Sequence, residues 1–459
     1  MFPPEPGMDL EVVRGLPGGS DRKPHVRCSQ VFRRVPEQEL FPLDIERKLR
    51  PDDIARQVKA GLAALDLGVL RGLYEDHGGV AYDPETMLSI VFLAWVQGIR
   101  SARDIADRCE MDIRFMYVSG GSEPDFRSVV RFLHRVAPLL EELQRQFAEA
   151  CISLGFLVPR RVAVDGTKLR SAASQAARWL KDPEAEALEE LGFEVPGSTD
   201  PDARVVKGRG GRVLGYNALA AVDCDTGLVL ACEVSQSSSD RGELSGMAES
   251  LVDQCGKALE GVELVADSGF DSYEGLQRCE DLGMDAVVPP QDDSALFWTV
   301  VSENEVVCPM GEGPAAISTS MIHGRKYTTY AVESCPSCRF YGICCSSPRG
   351  RSLKAPVGCD PANRVIQAHR ARSPDGREAM RERMATVEPF FGMMKWNQGM
   401  GRLHYRGLGG ACMELRLTAL ARNVRILGRA LAALHRAVFR LFGRIFGAGD
   451  RPVTAHRPA

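Results

Sequence analysis

The chain has 459 residues, more than one ordinary domain holds, so two or three folding units are expected. Its composition, 44% hydrophobic and 26% charged, is typical of a soluble globular protein, and its apolar runs are too short for a bilayer span, which excludes an integral membrane protein. The net charge of −4 conceals a basic end: residues 360–459 hold 18 Lys and Arg against 7 Asp and Glu, whereas the first 359 hold 39 against 54. This asymmetry favours a polyanionic partner, although well-solvated basic helices give the same pattern. The first residues have no cationic start and no apolar core, so we expect a cytoplasmic protein without a secretory signal.

The N-terminal part is predicted to be a loose leader over residues 1–40 and helical over residues 41–157. Asp83, followed by proline, is a favourable N-cap for one helix, Ser101 caps a second, and a third begins near Phe126. Short helices joined by tight turns are typical of a DNA-binding domain of the helix-turn-helix kind. A purely structural helical bundle gives the same pattern.

Residues 158–290 change to alternating strands and helices. The predicted elements are a strand at 159–166, a hairpin at 215–236, a helix at 242–258, a strand at 262–267, a helix that opens near 272 and a strand at 284–290. This order indicates an α/β sheet that mixes antiparallel and parallel pairs. Asp165 and Asp267 stand at the C-terminal ends of the first and fourth strands, where such sheets tend to place their chemistry.

Carboxylates on neighbouring strand ends suit Mg²⁺ or Mn²⁺, and with a third carboxylate they can hold two such ions about 3.5–4 Å apart for an in-line phosphoryl displacement. Glu388 is the candidate third member, because Pro389 favours a helix that starts there with the carboxylate in its first turn. Lys395 lies seven residues on, on the same helix face, where a cation suits a metal-bound phosphate. The alternative is that the two Asp residues are turn or cap residues and that Glu388 and Lys395 form a solvated charged face.

Three segments resemble the catalytic blocks of the DDE transposases of insertion sequences: VAVDGTKLRS, LVADSGFDS and ATVEPFFGMMKWNQGMGRL. The helical segment over residues 41–134 is similar to that family's N-terminal domain, so the resemblance covers most of the chain from residue 41 to about 427. It implies an α/β protein with an RNase H-like mixed sheet, preceded by an all-α domain and interrupted by a Cys-rich insertion. The core would consist of residues 158–290 and 371–427.

The resemblance also assigns roles to individual residues. It makes Asp165, Asp267 and Glu388 the catalytic, Mg²⁺-binding triad and places Lys395 on the DNA backbone. Related transposases often have an arginine four residues before the glutamate; here that position is Met384, and the neighbouring Arg383 is the candidate substitute.

The implied activity is metal-dependent cutting of insertion-sequence ends and their joining to target DNA, by hydrolysis and then transesterification. A homodimer or larger assembly on DNA is expected because two ends must be joined, in a bacterial protein that associates with the nucleoid when bound. Two alternatives remain open: an RNase H-like nuclease without strand transfer, and a non-catalytic DNA-binding protein derived from a transposase.

Residues 291–370 lose regular periodicity and hold a cysteine cluster. CPMG begins at Cys308, CPSC spans Cys335 to Cys338, and Cys344 and Cys345 follow. A Cys-x-x-Cys pair with further cysteines on turn-rich backbone is compatible with a tetrahedral Zn²⁺ site formed by Cys308, Cys335, Cys338 and either Cys344 or Cys345. Reduced structural thiols are the alternative.

Residues 428–459 are predicted to form a basic C-terminal helix and tail. Arginines share one broad face of the long amphipathic helix that leads into it: Arg422, Arg425, Arg429, Arg436, Arg440 and Arg444. Contact with backbone phosphates is the functional interpretation, and a helix lying on a membrane is the competing one. The candidate DNA-contacting residues are Lys168, Arg383, Lys395, Arg422, Arg425 and Arg429. Trp396 and Tyr405 are candidates for stacking on an exposed base, although aromatic residues more often lie in the core.

Overall fold

The computed structural model describes residues 32–33, 45–74, 81–173, 200–208, 211–291, 293–302, 305–322 and 324–445. Apart from residues 32–33, the predicted leader lies outside these ranges. So does the chain after residue 445. No helix among the described residues is both long and apolar enough to cross a membrane.

The N-terminal part is helical, as predicted. The α-helices described here are α1 (Ile45–Lys48), α2 (Ile54–Leu62), α3 (Pro84–Val96), α4 (Ala102–Met111), α5 (Ile113–Ser119), α6 (Phe126–Val136) and α7 (Leu140–Ser153). Asp83 caps α3 by accepting a hydrogen bond from the backbone N–H of Thr86 at 3.1 Å, and Ser101 caps α4, so both predicted starts are confirmed. The helix predicted to begin near Phe126 does begin there, and a 3₁₀ turn containing a proline separates it from α7. Two short strands of two residues each, β1 (Phe32–Arg33) and β2 (Ala81–Tyr82), pair in parallel.

The central sheet has the topology of an RNase H-like core. Its strands are β3 (Arg161–Arg170), β4 (Arg204–Gly208), β5 (Gly211–Asp223), β6 (Val229–Ser235), β7 (Glu263–Val265) and β8 (Asp285–Val287). β5 pairs antiparallel with β3, β4 and β6, whereas β7 pairs parallel with β3 and with β8. Without the short β4, the order β6-β5-β3-β7-β8 places the first core strand in the centre, between the hairpin and the two parallel strands. The predicted hairpin and the mixed α/β class are confirmed.

Helices cover both faces of this sheet. One face packs against α8 (Glu243–Cys255), α9 (Tyr273–Asp281) and the N-terminal helices in a single apolar cluster. The other face packs against α11 (Pro374–Gly392) and α12 (Gly407–Ile445) in a second cluster. Because side chains alternate along a strand, Val162 and Val164 of β3 face the first cluster and Ala163 faces the second.

The insertion is more regular than the sequence predicts. It contains β9 (Thr299–Ser302), β10 (Glu305–Val307), β11 (Ala315–Ile322), β12 (Arg325–Ala331), β13 (Ser352–Pro356) and then α10 (Pro361–Arg372). β9 and β10 form one antiparallel pair, and β11, β12 and β13 form a three-stranded antiparallel sheet. The expectation of an irregular stretch was wrong. The strand β11 is exposed along nearly all of its length, so its sequence lacks the alternation of apolar and polar residues by which a half-buried strand is recognised.

The last helix joins the two main parts of the protein. α12 is continuous over 39 residues, so the domain boundary predicted at residues 427–428 falls within one helix. It crosses α2 at very short range: a Cβ added to Gly428 would lie 1.8 Å from the carbonyl oxygen of Gln57, and one added to Gly61 would lie 2.1 Å from that of Val424. This crossing fixes the helical part against the RNase H-like core.

Substitution of Gly428 by alanine is expected to destabilise the protein. The added methyl group has backbone rather than a flexible side chain in its way, so α2 and α12 must separate, at a cost of about 1–3 kcal/mol. Gly409→Ala, in the first turn of the same helix with nothing within 4 Å of the new Cβ, is the matched control and is expected to be neutral or slightly stabilising. Thermal unfolding monitored by circular dichroism compares the two variants, and equal midpoints would contradict the proposed contact.

Candidate active site

Asp165 and Asp267 occupy matching positions on neighbouring strands. The parallel pairing of β3 with β7 ends at Ala163 and Val265, and each aspartate lies two residues beyond that last pair. Since side chains two residues apart point to the same side, both carboxylates lie on the face covered by α11. The expectation that Asp165 ends its strand was wrong: β3 continues to Arg170 because β5 still pairs with it after β7 has ended.

Arg383 of α11 links the two carboxylates. Its Nη2 lies 2.9 Å from Asp165 Oδ1 and 3.6 Å from Asp267 Oδ2, and its Nε donates to the carbonyl oxygen of Val164 at 3.1 Å. The side chain is only 6% exposed. Arg383, which the sequence offers as a phosphate contact, is therefore in direct contact with the acidic pair. Met384, at the position where related proteins often carry arginine, is half-exposed on the outer side of the helix.

The acidic pair needs a compensating positive charge. The pKa of Asp165 is raised to about 6: burial is the main cause and the nearby Asp267 and Asp240 add to it, whereas Arg383 and the backbone N–H of Gly166 act in the opposite direction. A carboxylate that loses its hydration in this way, beside other carboxylates, is stabilised by a cation. Asp267 is more exposed, and its Oδ1 also accepts a hydrogen bond from the N–H of Gly269 at 2.8 Å.

Asp240 is a site residue that the sequence reasoning missed. It lies in the polar loop after β6, where its Oδ1 accepts hydrogen bonds from Lys168 Nζ at 3.1 Å and Asn217 Nδ2 at 2.7 Å. A Cβ added to Gly166 would lie 2.7 Å from that same oxygen, and one added to Gly269 would lie 3.8 Å from Oδ2. Asp240 is therefore close to both the strand that carries Asp165 and the turn that follows Asp267. The sequence signal, one aspartate after a run of serines, is that of an ordinary turn.

Glu388 is on the same helix as Arg383, but it lies near the end of that helix and not in its first turn. α11 begins at Pro374, where Ser373 caps it by accepting from the N–H of Gly376 at 3.0 Å, and it runs through Pro389. The expectation of a helix start at Glu388 was wrong, because the Ser-Pro signal fifteen residues earlier is the one that is used. Glu388 is exposed in the last part of the helix. In the described ranges, no three acidic, histidine or cysteine side chains already stand at metal-ligand spacing.

A π-helical turn follows α11 and presents two of the predicted DNA-contacting residues. It spans Met393–Asn397 and contains the half-buried Lys395. Trp396 is 86% exposed, in contrast to the core position that is more usual for tryptophan. Tyr405, by comparison, is half-buried, and burial raises its pKa to about 12.

The remaining predicted basic contacts divide into two groups. Lys168 and Arg422 are engaged within the protein: Lys168 with Asp240, and Arg422 with the carbonyl oxygen of Gly227 at 3.4 Å and with the ring of Phe390. The exposed arginines of α12 are Arg425, Arg429 and Arg436. The side chains of Arg440 and Arg444 lie outside the described residues. The face available to DNA is therefore narrower than the spacing of arginines predicts.

Comparisons with known proteins match two parts of this chain to transposase domains. The family described as a transposase domain (DUF772) matches residues 43–135, and the family described as a transposase DDE domain matches residues 307–427, a range that includes Glu388. No curated protein matches the sequence. Among solved structures, the cryo-EM structure of a piggyBac transposase synaptic complex with hairpin DNA matches with 11% identity over 88% of this chain and 83% of that chain, at a TM-score of 0.27. Two transposase domains, the second of them a transposase DDE domain, therefore follow one another in this sequence.

Proposed function

We propose that this protein cuts the ends of an insertion sequence and joins them to target DNA, using divalent metal ions held by Asp165, Asp267 and Glu388. The observation that carries the proposal is the register of the two aspartates on an RNase H-like sheet, with their carboxylates directed to one shared cation, the guanidinium of Arg383. The site is thus built to concentrate negative charge at one point, as a hard-cation site requires.

The side chains present fit Mg²⁺ or Mn²⁺. Their donors are carboxylate oxygens, which these ions prefer, and the burial of Asp165 makes a positive charge favourable there. The bound ions would supply Lewis-acid stabilisation of the attacking and leaving oxygens of the phosphodiester. Asp165 and Asp267 would hold them, with Glu388 as the third carboxylate and Asp240 beside them.

The chain's own residues would orient these groups. Arg383 keeps both aspartates turned toward one point, and Lys168 together with Asn217 fixes Asp240. Glu388 has to turn toward the pair. Pro389 has no N–H for the helical hydrogen bond to the preceding turn, which weakens the helix beside Glu388 and lets that turn adjust when DNA binds.

Two helices of the protein expose arginines that are candidate DNA contacts. The helix α6 exposes Arg127, Arg131 and Arg135 at spacings of four residues, which places all three on one face. Arg425 and Arg429 are exposed on α12, and the pKa of Arg425 is lowered by partial burial of its guanidinium and, to a smaller extent, by the nearby charge of Arg429. Two positive charges this close repel each other, and binding to DNA phosphates would relieve that repulsion.

The test uses purified protein, Mg²⁺ and labelled DNA that carries the ends of the element. We expect strand-transfer products, in which the labelled end is joined to a second DNA. Cleavage without joining would instead support a nuclease on the same core. Binding with no cleavage under any metal condition would support a DNA-binding protein derived from a transposase.

Trp396→Ala is expected to weaken binding of end DNA by about 1–3 kcal/mol, because the exposed indole offers one base a stacking surface. Leu154→Ala removes exposed apolar surface at the C-terminal end of α7 and is the matched control. Fluorescence anisotropy with end DNA at several salt concentrations measures the effect. A stacking role predicts an unchanged salt slope, whereas Lys395→Ala is expected to reduce the slope by about one unit.

A further inference from the structure

Five cysteines of the insertion line one small cavity of about 30 Å³. They are Cys308, Cys335, Cys338, Cys344 and Cys345. Five cysteines elsewhere in the described chain are separate core thiols, and burial raises the pKa of each to about 12: Cys109, Cys151, Cys232, Cys255 and Cys279. A convergence of five thiols on a turn-rich segment is unusual for residues that serve only to fill space.

Two tight turns carry thiols that line this cavity. In one, the carbonyl oxygen of Cys308 accepts from the N–H of Gly311 at 2.8 Å. In the other, the carbonyl oxygen of Cys335 accepts from the N–H of Cys338 at 3.1 Å, and the sulfur of Cys335 accepts from the N–H of Arg351 at 3.4 Å. Backbone N–H groups directed at sulfur stabilise a thiolate, which is the form that binds metal.

The two adjacent cysteines at the end of the cluster point to different partners. Cys345 is in side-chain hydrogen-bond contact with Cys335. Cys344 is held by Arg351, whose Nη2 donates to Cys344 Sγ at 3.0 Å and to its carbonyl oxygen at 2.6 Å. This difference favours Cys345 over Cys344 as the fourth ligand of a zinc site.

We propose that the insertion binds one structural Zn²⁺ through the thiolates of Cys308, Cys335, Cys338 and Cys345, while Cys344 stays paired with Arg351. Four thiolates in tetrahedral arrangement are a preferred zinc environment. No three of the described cysteines already stand at ligand spacing, so binding draws the four sulfurs inward from the cavity wall and releases their thiol protons.

The insertion has a physical need for such a site. Its own apolar cluster is small, formed by residues such as Trp298, Val306 and Leu353, and β11 is exposed along nearly its whole length. A segment with so little buried surface gains folding stability from a metal that binds the folded form. The charge of a four-thiolate zinc centre is −2, and the guanidinium of Arg351 next to the cavity offsets part of it.

The test measures metal content in the full-length protein purified without added zinc. We expect about one zinc per chain in the wild type and in Cys344→Ser, and a loss of most of it in Cys345→Ser. The reverse result for the two serine variants overturns the ligand assignment. The proposal is overturned in favour of a disulfide if the wild-type protein contains no zinc and the unfolded chain has fewer free thiols than cysteines. The missing thiols would then react with Ellman's reagent only after the protein has been reduced and the reductant removed.

Two further measurements keep the result interpretable. Replacing zinc by Co²⁺ in the wild type is expected to give the absorption of a tetrahedral four-thiolate centre, and an octahedral spectrum contradicts the proposal even if a serine variant fails to fold. Asp165→Asn is expected to retain its zinc, because this site is separate from the acidic pair. The zinc inference can therefore hold or fail independently of the proposed strand transfer.

Discussion

Asp165→Asn is expected to abolish cleavage of end DNA, with a loss of roughly 10³-fold or more, which corresponds to at least about 4 kcal/mol of transition-state stabilisation. Asparagine keeps the shape of the side chain and can still accept a hydrogen bond from Arg383, but it removes the negative charge that holds a divalent cation. Because Asp165 is largely buried beside Arg383 of α11 and is not on the exposed turn that we propose as a DNA contact, the variant is expected to bind end DNA as the wild type does.

The same assay with Asp267→Asn is expected to give the same loss, since the two residues are equivalent in the sheet register. Asp285→Asn is the matched control: Asp285 is on β8 of the same sheet, but it is exposed and paired with Arg370. Cleavage is followed by denaturing gel electrophoresis and binding by mobility shift. Retained cleavage in either active-site variant would show that the chemistry takes place elsewhere.

The third carboxylate can be identified by a comparison of Glu388→Gln with Asp240→Asn. We expect Glu388→Gln to lose cleavage as completely as Asp165→Asn does. Asp240→Asn is expected to lose about tenfold, because Asp240 positions Lys168 and adds to the field at Asp165 without being a required ligand. If the two effects are reversed, Asp240 is the third ligand and Glu388 is a surface residue.

Local signals in the sequence predicted those elements whose ends are fixed by local chemistry. Asp83 and Ser101 cap their helices as expected, and Ser272 caps α9, because an N-cap depends on a hydrogen bond within three residues. The hairpin of β5 and β6 was also predicted, since its turn residues lie between two apolar runs. The order of strands then follows from the RNase H-like family resemblance.

Contacts between distant segments were not predictable in this way. The full length of β3 depends on how far β5 continues to pair with it. The sequence offers two helix starts, one at Pro374 and one at Pro389, and α11 begins at the first. Asp240 and Arg383 enter the site only because the chain brings their segments together: Arg383 contacts a carboxylate 218 positions away in the numbering. Periodicity within a short window contains no information about such contacts.

The placement of Arg383 explains how the site tolerates buried carboxylates. A lone Asp165 at this depth favours its neutral form, as its raised pKa shows. Arg383 lowers the pKa of Asp165, so the carboxylate is charged at neutral pH; the same arginine therefore stabilises the fold and maintains the charge that the proposed metal ions require. Arg383 acts here as a positioning residue, since it touches the carboxylates rather than the substrate.

Arg383→Met is expected to lower the free energy of unfolding by about 3–5 kcal/mol at pH 8, because it leaves Asp165 buried without its cation. Asp267 adds less, since its side chain is 44% exposed and solvent screens it. Methionine retains much of the volume of the arginine stem, and Arg381→Met, exposed on the same helix, controls for the loss of a surface charge.

The pH dependence distinguishes this electrostatic effect from simple packing. The pKa of Asp165 in the folded protein, about 6, lies above the value near 3.9 expected in the unfolded chain, so protonation favours the folded state and stability falls as pH rises through about 6. Loss of Arg383 raises the folded pKa further and extends this fall to higher pH. The difference between wild type and Arg383→Met, measured by urea unfolding, is therefore expected to be large at pH 8 and much smaller at pH 5. An equal difference at both pH values would mean that Arg383 contributes through packing and its bond to Val164 alone, without neutralising the acidic pair.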